Sequence, residues 1–132
     1  MSIIIERFDK IKLNIDEIKP KKKVTIIAVS KTFSLDYIKP LLDYGHNHFG
    51  ENKVQEALSK WKEEKNKKEN LKLHMVGKLQ SNKAKSAIEI FDYIHSLDNQ
   101  KLADTLSKNQ KNLNKSLKYF IQVNIGNEIQ KS

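Results

Sequence analysis

The chain predicts an α/β fold built on a parallel sheet, on three observations. Short strand-like runs at residues 24–30, 46–49, 71–76, 91–96 and 117–125 alternate with segments whose apolar residues recur at helical spacing. The first of these runs is continuous and β-branched, as strands buried on both faces are. Polar motifs follow the first three runs: Ser30-Lys31-Thr32, Gly50-Glu51-Asn52, and Gly77-Lys78-Leu79-Gln80-Ser81-Asn82-Lys83. Parallel α/β folds put their ligand sites beyond the carboxyl ends of strands, where these motifs stand.

Each element has a local reason. Ile4, Phe8, Ile11, Ile15 and Ile18 form the apolar stripe of an N-terminal helix. Its other face carries Glu6, Asp9, Asp16 and Glu17, unlike the basic face of a membrane-surface helix. Pro20 and the lysines around it end that pattern, and 24–30 follows as the first strand. Ser34 is placed to cap a helix over 35–44, which Gly45 terminates and from which Pro40 removes one backbone bond. The unit then repeats: strand 46–49, helix 52–65, strand 71–76, helix 82–90, and strand 91–96. Asp98 is the expected cap of a helix to about 109, before a fifth strand at 117–125. Such alternation is the signature of right-handed βαβ units.

Composition narrows the function. The chain has 132 residues, which allows one domain, and a net charge of +9. Its lysines cluster at 19–23 and 60–72, but Arg7 is the sole arginine. Guanidinium groups dominate bidentate phosphate and guanine contacts, and neither lysine cluster interleaves aromatic stacking platforms, so nucleic acid is not an expected partner. Without cysteine there is neither a disulfide nor a thiolate metal site, which fits a reducing cytoplasm. The first residues show neither signal peptide nor membrane span, so a cytoplasmic, membrane-free protein is expected.

Candidate sites follow the strand ends. Lys31 offers a primary amine at the lip of a buried strand, and partial burial there would favour the neutral amine that an imine requires. A solvated edge lysine is the competing reading. Asn52 can cap the following helix or face the mouth of the fold, and Glu51 can orient Lys31 or pair with Lys53. His46 and His48 share a strand face at i, i+2 spacing, yet no third ligand of matching spacing accompanies them, so no metal is assigned. Ser81 or Asn82 suits a helix N-cap, and the amides beside them, with Lys83, suit a site entrance or a partner contact.

The strings IIAVSKT, HFGENKVQEAL, LHMVGKLQSNKAK, FDYIHSLDNQKLADTLS and FIQVNIGNEIQKS resemble, in order and spacing, the pyridoxal phosphate homeostasis proteins. These are related to the N-terminal barrel of alanine racemase. The resemblance implies a (β/α)8 TIM-barrel-like fold of which residues 1–132 would be a single domain, incomplete at its C-terminus and truncated to about five βα units. A closed barrel typically needs about 250 residues. It also implies that pyridoxal 5′-phosphate (PLP) is held as a Schiff base on Lys31, with Asn52, His74 and Ser96 at the cofactor. The implied role is intracellular cofactor buffering or delivery without catalysis, with PLP-dependent apo-enzymes as candidate recipients. A PLP racemase or Schiff-base aldolase on the same barrel, or a non-functional fragment, stays open as the alternative. Three positions depart from the family pattern: Phe33 stands where a second lysine is usual, Lys53 where tyrosine is, and Lys78 where proline is common.

Overall fold

The computed structural model describes residues 3–126. Helix α1 (Ile3–Ile18) precedes four βα steps and a fifth strand, beginning with β1 (Ala28–Val29), α2 (Leu35–Asp43), β2 (His48–Glu51), α3 (Val54–Lys67) and β3 (Lys72–Met75). A 3-10 turn (Ser81–Lys83) then leads into α4 (Ala84–Ile90), followed by β4 (Tyr93–Leu97), α5 (Gln100–Asn112) and β5 (Lys118–Ile121). All strand pairs are parallel, and the sheet order is the chain order, β1-β2-β3-β4-β5. This is the expected α/β fold, with five parallel strands.

Right-handed crossovers between consecutive strands place α2 to α5 on one face of the sheet, and burial agrees. On the helix side, Glu51, Met75 and Ile94 are register partners in turn and all are buried; Phe49 pairs with Leu73 likewise. Trp61 of α3 packs on Phe49, with ring centroids 4.9 Å apart. Ala57, Ala84 and Ala87, all fully buried, let the helices lie close over this layer. On the other face a row of register partners crosses the whole sheet: Val29, Gly50, His74, Tyr93 and Lys118. No described helix covers that row.

Local chemistry fixes the helix ends. The Ser34 side chain accepts from the Tyr37 N–H at the start of α2. At its end Gly45 takes φ +105°, and the Gly45 and His46 N–H groups return to the carbonyls of Leu42 and Leu41, a Schellman motif. Helix α4 ends on two lysines from elsewhere. Lys115 donates to the carbonyls of Ile88 and Glu89 while Lys65 donates to that of Ile90, meeting the negative end of the helix dipole. Lys65 also pairs with Asp92, whose carboxylate accepts the Leu73 N–H.

Several expected boundaries are corrected. The first strand covers two residues rather than 24–30, and is not buried on both faces: Val24 and Val29 are 48% and 51% exposed. Among the described residues it has a strand neighbour only on its β2 side. The fifth strand stops at Ile121 for the same reason, with Val123 and Ile125 exposed. Strand β2 lies two residues later than expected, because pairing with β3 continues to Glu51. Asn99, not Asp98, caps α5, its Oδ1 accepting the Leu102 N–H at 2.8 Å. Helix α1 buries no residue fully and leans on α2 through Phe8 and the Tyr44 hydroxyl, which donates to Asp9.

Candidate functional site at the carboxyl ends of the strands

Lys31 leaves β1 at the second position of a tight turn. The Phe33 N–H donates to the Ser30 carbonyl at 3.2 Å, and Thr32 has φ +69°. That combination is a type II turn, whose third position favours glycine or asparagine. A β-branched threonine there is a genuine backbone outlier.

A buried ionic network sits behind the turn. The Glu51 carboxylate is wholly buried and accepts from the Ser30 hydroxyl, the Lys60 ammonium at 3.0 Å and the Trp61 indole N–H at 3.0 Å. The Lys60 side chain, 8% exposed, donates further to the Ser30 carbonyl at 2.8 Å and to Glu56 at 3.3 Å. Glu56 in turn accepts the Thr32 N–H at 2.7 Å. That N–H is the main reason the Glu56 carboxyl sits below its usual range, with Lys60 adding to the effect and burial opposing it. Neither role open to Glu51 in the sequence, orienting Lys31 or pairing with Lys53, is what the structure shows: its partners are Ser30, Lys60 and Trp61. Lys31 itself is exposed, so the partial burial expected at a barrel mouth is not found here. Among the described residues no hydrogen bond or ion pair engages its ammonium.

Asn52 follows β2 directly. The N-cap of α3 is Lys53 and makes no side-chain cap bond, so Asn52 does not take the capping role. Its Oδ1 is buried without a hydrogen-bond partner. Gly77 packs on it: a Cβ at Gly77 would lie 2.7 Å from the Asn52 Cβ and 2.9 Å from its carbonyl oxygen. The Gly50-Glu51-Asn52 and Gly77 to Lys83 motifs therefore meet, and a cavity of about 350 Å³ opens between them, lined by Asn52, Lys53, Lys78, Gln80 and Lys83 among others. Ser96, in β4, is 4% exposed, and its Oγ also lacks a partner.

His74 is placed differently from these. It is 3% exposed, and both ring nitrogens are engaged: Nε2 with His48 Nδ1 and Nδ1 with His95 Nε2, each at 2.9 Å. Its ring stacks on Tyr93 at 4.2 Å, and His95 stacks on Phe120 at 4.5 Å. Burial, then the neighbouring His95 and His48, push His74 down to about 4; burial also lowers His46, His48 and His95. The folded state thus favours neutral rings that the unfolded chain protonates near 6.5. Stability should be greatest above pH 6.5 and fall as the pH drops from there towards 4. Urea midpoints measured across that interval test this, and His74→Phe should flatten much of the slope; an unchanged slope in the variant would reject the assignment.

The donor set suits a small carbonyl-bearing cofactor. It comprises the unengaged primary amine of Lys31, the buried Asn52 oxygen that lacks a partner, and a glycine that lets two strand-end motifs touch. Glu56, Lys60 and Trp61, which hold the amine's turn, were not singled out by sequence reasoning. Among the described residues, no group of three or more His, Cys, Asp or Glu could hold a metal ion, and no helix is long and apolar enough to cross a membrane.

Comparisons with known proteins agree with this architecture. The chain is 41% identical over 113 residues to the pyridoxal phosphate homeostasis protein of Buchnera aphidicola subsp. Schizaphis graminum, covering 86% of this chain and 49% of that protein. It is 40% identical over 114 residues to the protein of the same name from Pasteurella multocida, again covering 86% and 49%. The solved structure of PipY from Synechococcus elongatus PCC7942 with PLP bound superposes with a TM-score of 0.73 at 38% identity, covering 86% of this chain and 54% of that one. The chain thus spans about half the length of the curated relatives it matches. A family model described as alanine racemase, N-terminal domain, matches residues 7–129. With that match over almost the whole chain and a sheet of five parallel strands to accompany it, the chain belongs to the alanine racemase N-terminal domain family.

Proposed function

We propose that the protein binds PLP through Lys31 and buffers or delivers the cofactor inside the cell, without turnover of its own. The observation that carries this reading is Lys31, an unengaged amine at the apex of a turn braced by buried charges, with the unpartnered Asn52 oxygen at the end of the adjacent strand. Relatives named for PLP homeostasis, and a PLP-bound relative, supply the ligand class. When bound, the cofactor would supply an aldehyde carbon able to condense with a neutral lysine amine, with loss of water.

This chain's own residues then do four things. Lys31 presents the amine. Its turn, tied to Glu56 and Lys60, fixes where the amine stands. Asn52 and Ser96 offer buried oxygens to polar atoms of the ligand. His74, with both nitrogens spent on other histidines, contributes a rigid ring wall rather than a free hydrogen bond.

Carrier is favoured over enzyme on the same geometry. A racemase needs proton-handling groups on two faces of the substrate, whereas the titratable groups behind Lys31 are committed to one another: Glu51 and Glu56 to Lys60. Apo-enzymes that take up the cofactor are the recipients this role requires.

Borohydride reduction of the PLP-loaded protein followed by peptide mass mapping should mark Lys31, and Lys31→Ala should lose the violet absorbance. A label on another lysine, with Lys31→Ala still coloured, would overturn the assignment. Chiral analysis of incubated amino acids should show no inversion; sustained inversion that vanishes in Lys31→Ala would make the protein an enzyme.

A further inference from the structure

The geometry points to Glu56 as a positioning residue for Lys31: by accepting the Thr32 N–H it holds a strained turn in the one backbone conformation that presents the lysine amine. This deepens the reading of Lys31 as the cofactor lysine and rests on it. Three observations carry it. Thr32 occupies the left-handed region, at φ +69°, in which a β-branched residue is not held by its own preferences. Such outliers persist only where the surroundings over-determine them, and they gather at functional sites.

The surroundings here do over-determine it. The Glu56 Oε1 takes the Thr32 N–H at 2.7 Å across a separation of 24 residues, so one turn of α3 grips the loop after β1. The other end of the turn is gripped as well. The Ser30 carbonyl receives both the Phe33 N–H and the Lys60 ammonium, and the Ser30 N–H donates to the Gly50 carbonyl at 2.8 Å.

The third observation is the linkage between the two grips. Lys60 lies one helical turn after Glu56, donates to it at 3.3 Å and is itself anchored on the buried Glu51 carboxylate. Glu56 therefore cannot swing away from Thr32 without leaving Lys60 short of a partner. Lys31, between the two gripped peptides, carries the one ionisable side chain of the turn, and among the described residues no hydrogen bond or ion pair engages it. All the strain and all the bracing thus converge on a single unengaged amine.

A double-substitution cycle on the full chain tests this. The probe is PLP, and the measured quantity is the rate at which cyanoborohydride traps it on Lys31, located by peptide mapping. Glu56→Ala should slow trapping at Lys31 about tenfold, the order expected when a hydrogen bond to a charged group is lost. Glu56→Gln, whose amide oxygen can still accept the Thr32 N–H, should recover most of the rate. In a Thr32→Gly background the same Glu56→Ala change should cost almost nothing, since glycine adopts positive φ without a clamp. Thermal melts run alongside register general loss of fold, which would slow trapping equally in both backgrounds.

Equal costs of Glu56→Ala with Thr32 intact and in the Thr32→Gly background would overturn the positioning role, as would an unchanged trapping rate in Glu56→Ala. If Glu56→Ala fails to fold, Glu56→Met, which keeps the side-chain stem but removes the acceptor of the Thr32 N–H, is compared in the two backgrounds by the same criterion. Trapping of the unsubstituted chain on a lysine other than Lys31 is a different result: it removes the Lys31 assignment itself.

Discussion

Lys60→Met should lower the unfolding free energy by about 3–5 kcal/mol, because it strands the fully buried Glu51 carboxylate without its counter-ion. The methionine stem can replace the packing of the lysine methylenes, so the loss reports charge rather than volume. The Ser30 carbonyl loses its ammonium donor at the same time, and Glu56 keeps only the Thr32 N–H. Removing both charges should behave differently. Buried ion pairs replaced by apolar residues of similar volume are often neutral or stabilising. Glu51→Leu combined with Lys60→Met should therefore recover much of the loss, leaving the Ser30 hydroxyl to its second acceptor, the Gly50 carbonyl, and only the Trp61 N–H to find another. Urea unfolding followed by circular dichroism measures all three chains. A loss below about 1 kcal/mol in Lys60→Met, the level of an exposed pair, would mean that solvent reaches this cluster and that it is not a buried brace.

Trp61→Ala should cost about 3–5 kcal/mol, the range for removing a large aromatic side chain from a packed core. Trp61 is wholly buried between the sheet and α3, packs on Phe49, and its indole N–H is one of the donors to Glu51. The two contributions can be separated. Trp61→Phe keeps most of the ring packing and deletes the hydrogen bond, so it should lose about 1.5–3 kcal/mol, the usual worth of a hydrogen bond to a charged group. Equal losses in Trp61→Ala and Trp61→Phe would assign the whole effect to the hydrogen bond and none to packing. Because Trp61 and Lys60 share Glu51, their effects should not add, and the Lys60→Met, Trp61→Ala double variant should lose less than the sum.

The architecture was legible because it rests on patterns local to the chain. The N-terminal helix, the Ser34 cap, the Gly45 stop and the order of strands and helices all appear as expected. The ends of β1 and β5 were not, since a continuous apolar run does not say whether a helix or another strand will cover it. The Glu56–Lys60 spacing of i, i+4 could have been read as a helical ion pair. Its grip on Thr32 could not, because that bond spans 24 residues and depends on how α3 lies over the loop after β1. The histidines show the same limit. His48, His74 and His95 were each placed on a strand, but their nitrogen-to-nitrogen contacts depend on cross-strand register, which no single segment encodes. Asn52 lost its capping role for a comparable reason, since the close approach of Gly77 is made by a neighbouring strand.

The strand order, identical to the chain order, has a consequence for how such a chain acquires its structure. Each new strand docks beside the one made immediately before it, so no strand has to wait for a distant partner or be inserted between two others. Every pairing nevertheless spans a whole βα step, from 19 residues between His74 and Tyr93 to 25 between Tyr93 and Lys118, and parallel pairing of that kind is slow because loop-closure entropy is met before the contact rewards it. A chain emerging from the ribosome could extend its sheet one βα step at a time, with the most recent strand always serving as the template for the next. The Lys31 turn depends only on β2 and α3, so it would be braced as soon as the third helix had docked, with residues beyond Lys67 still to be made.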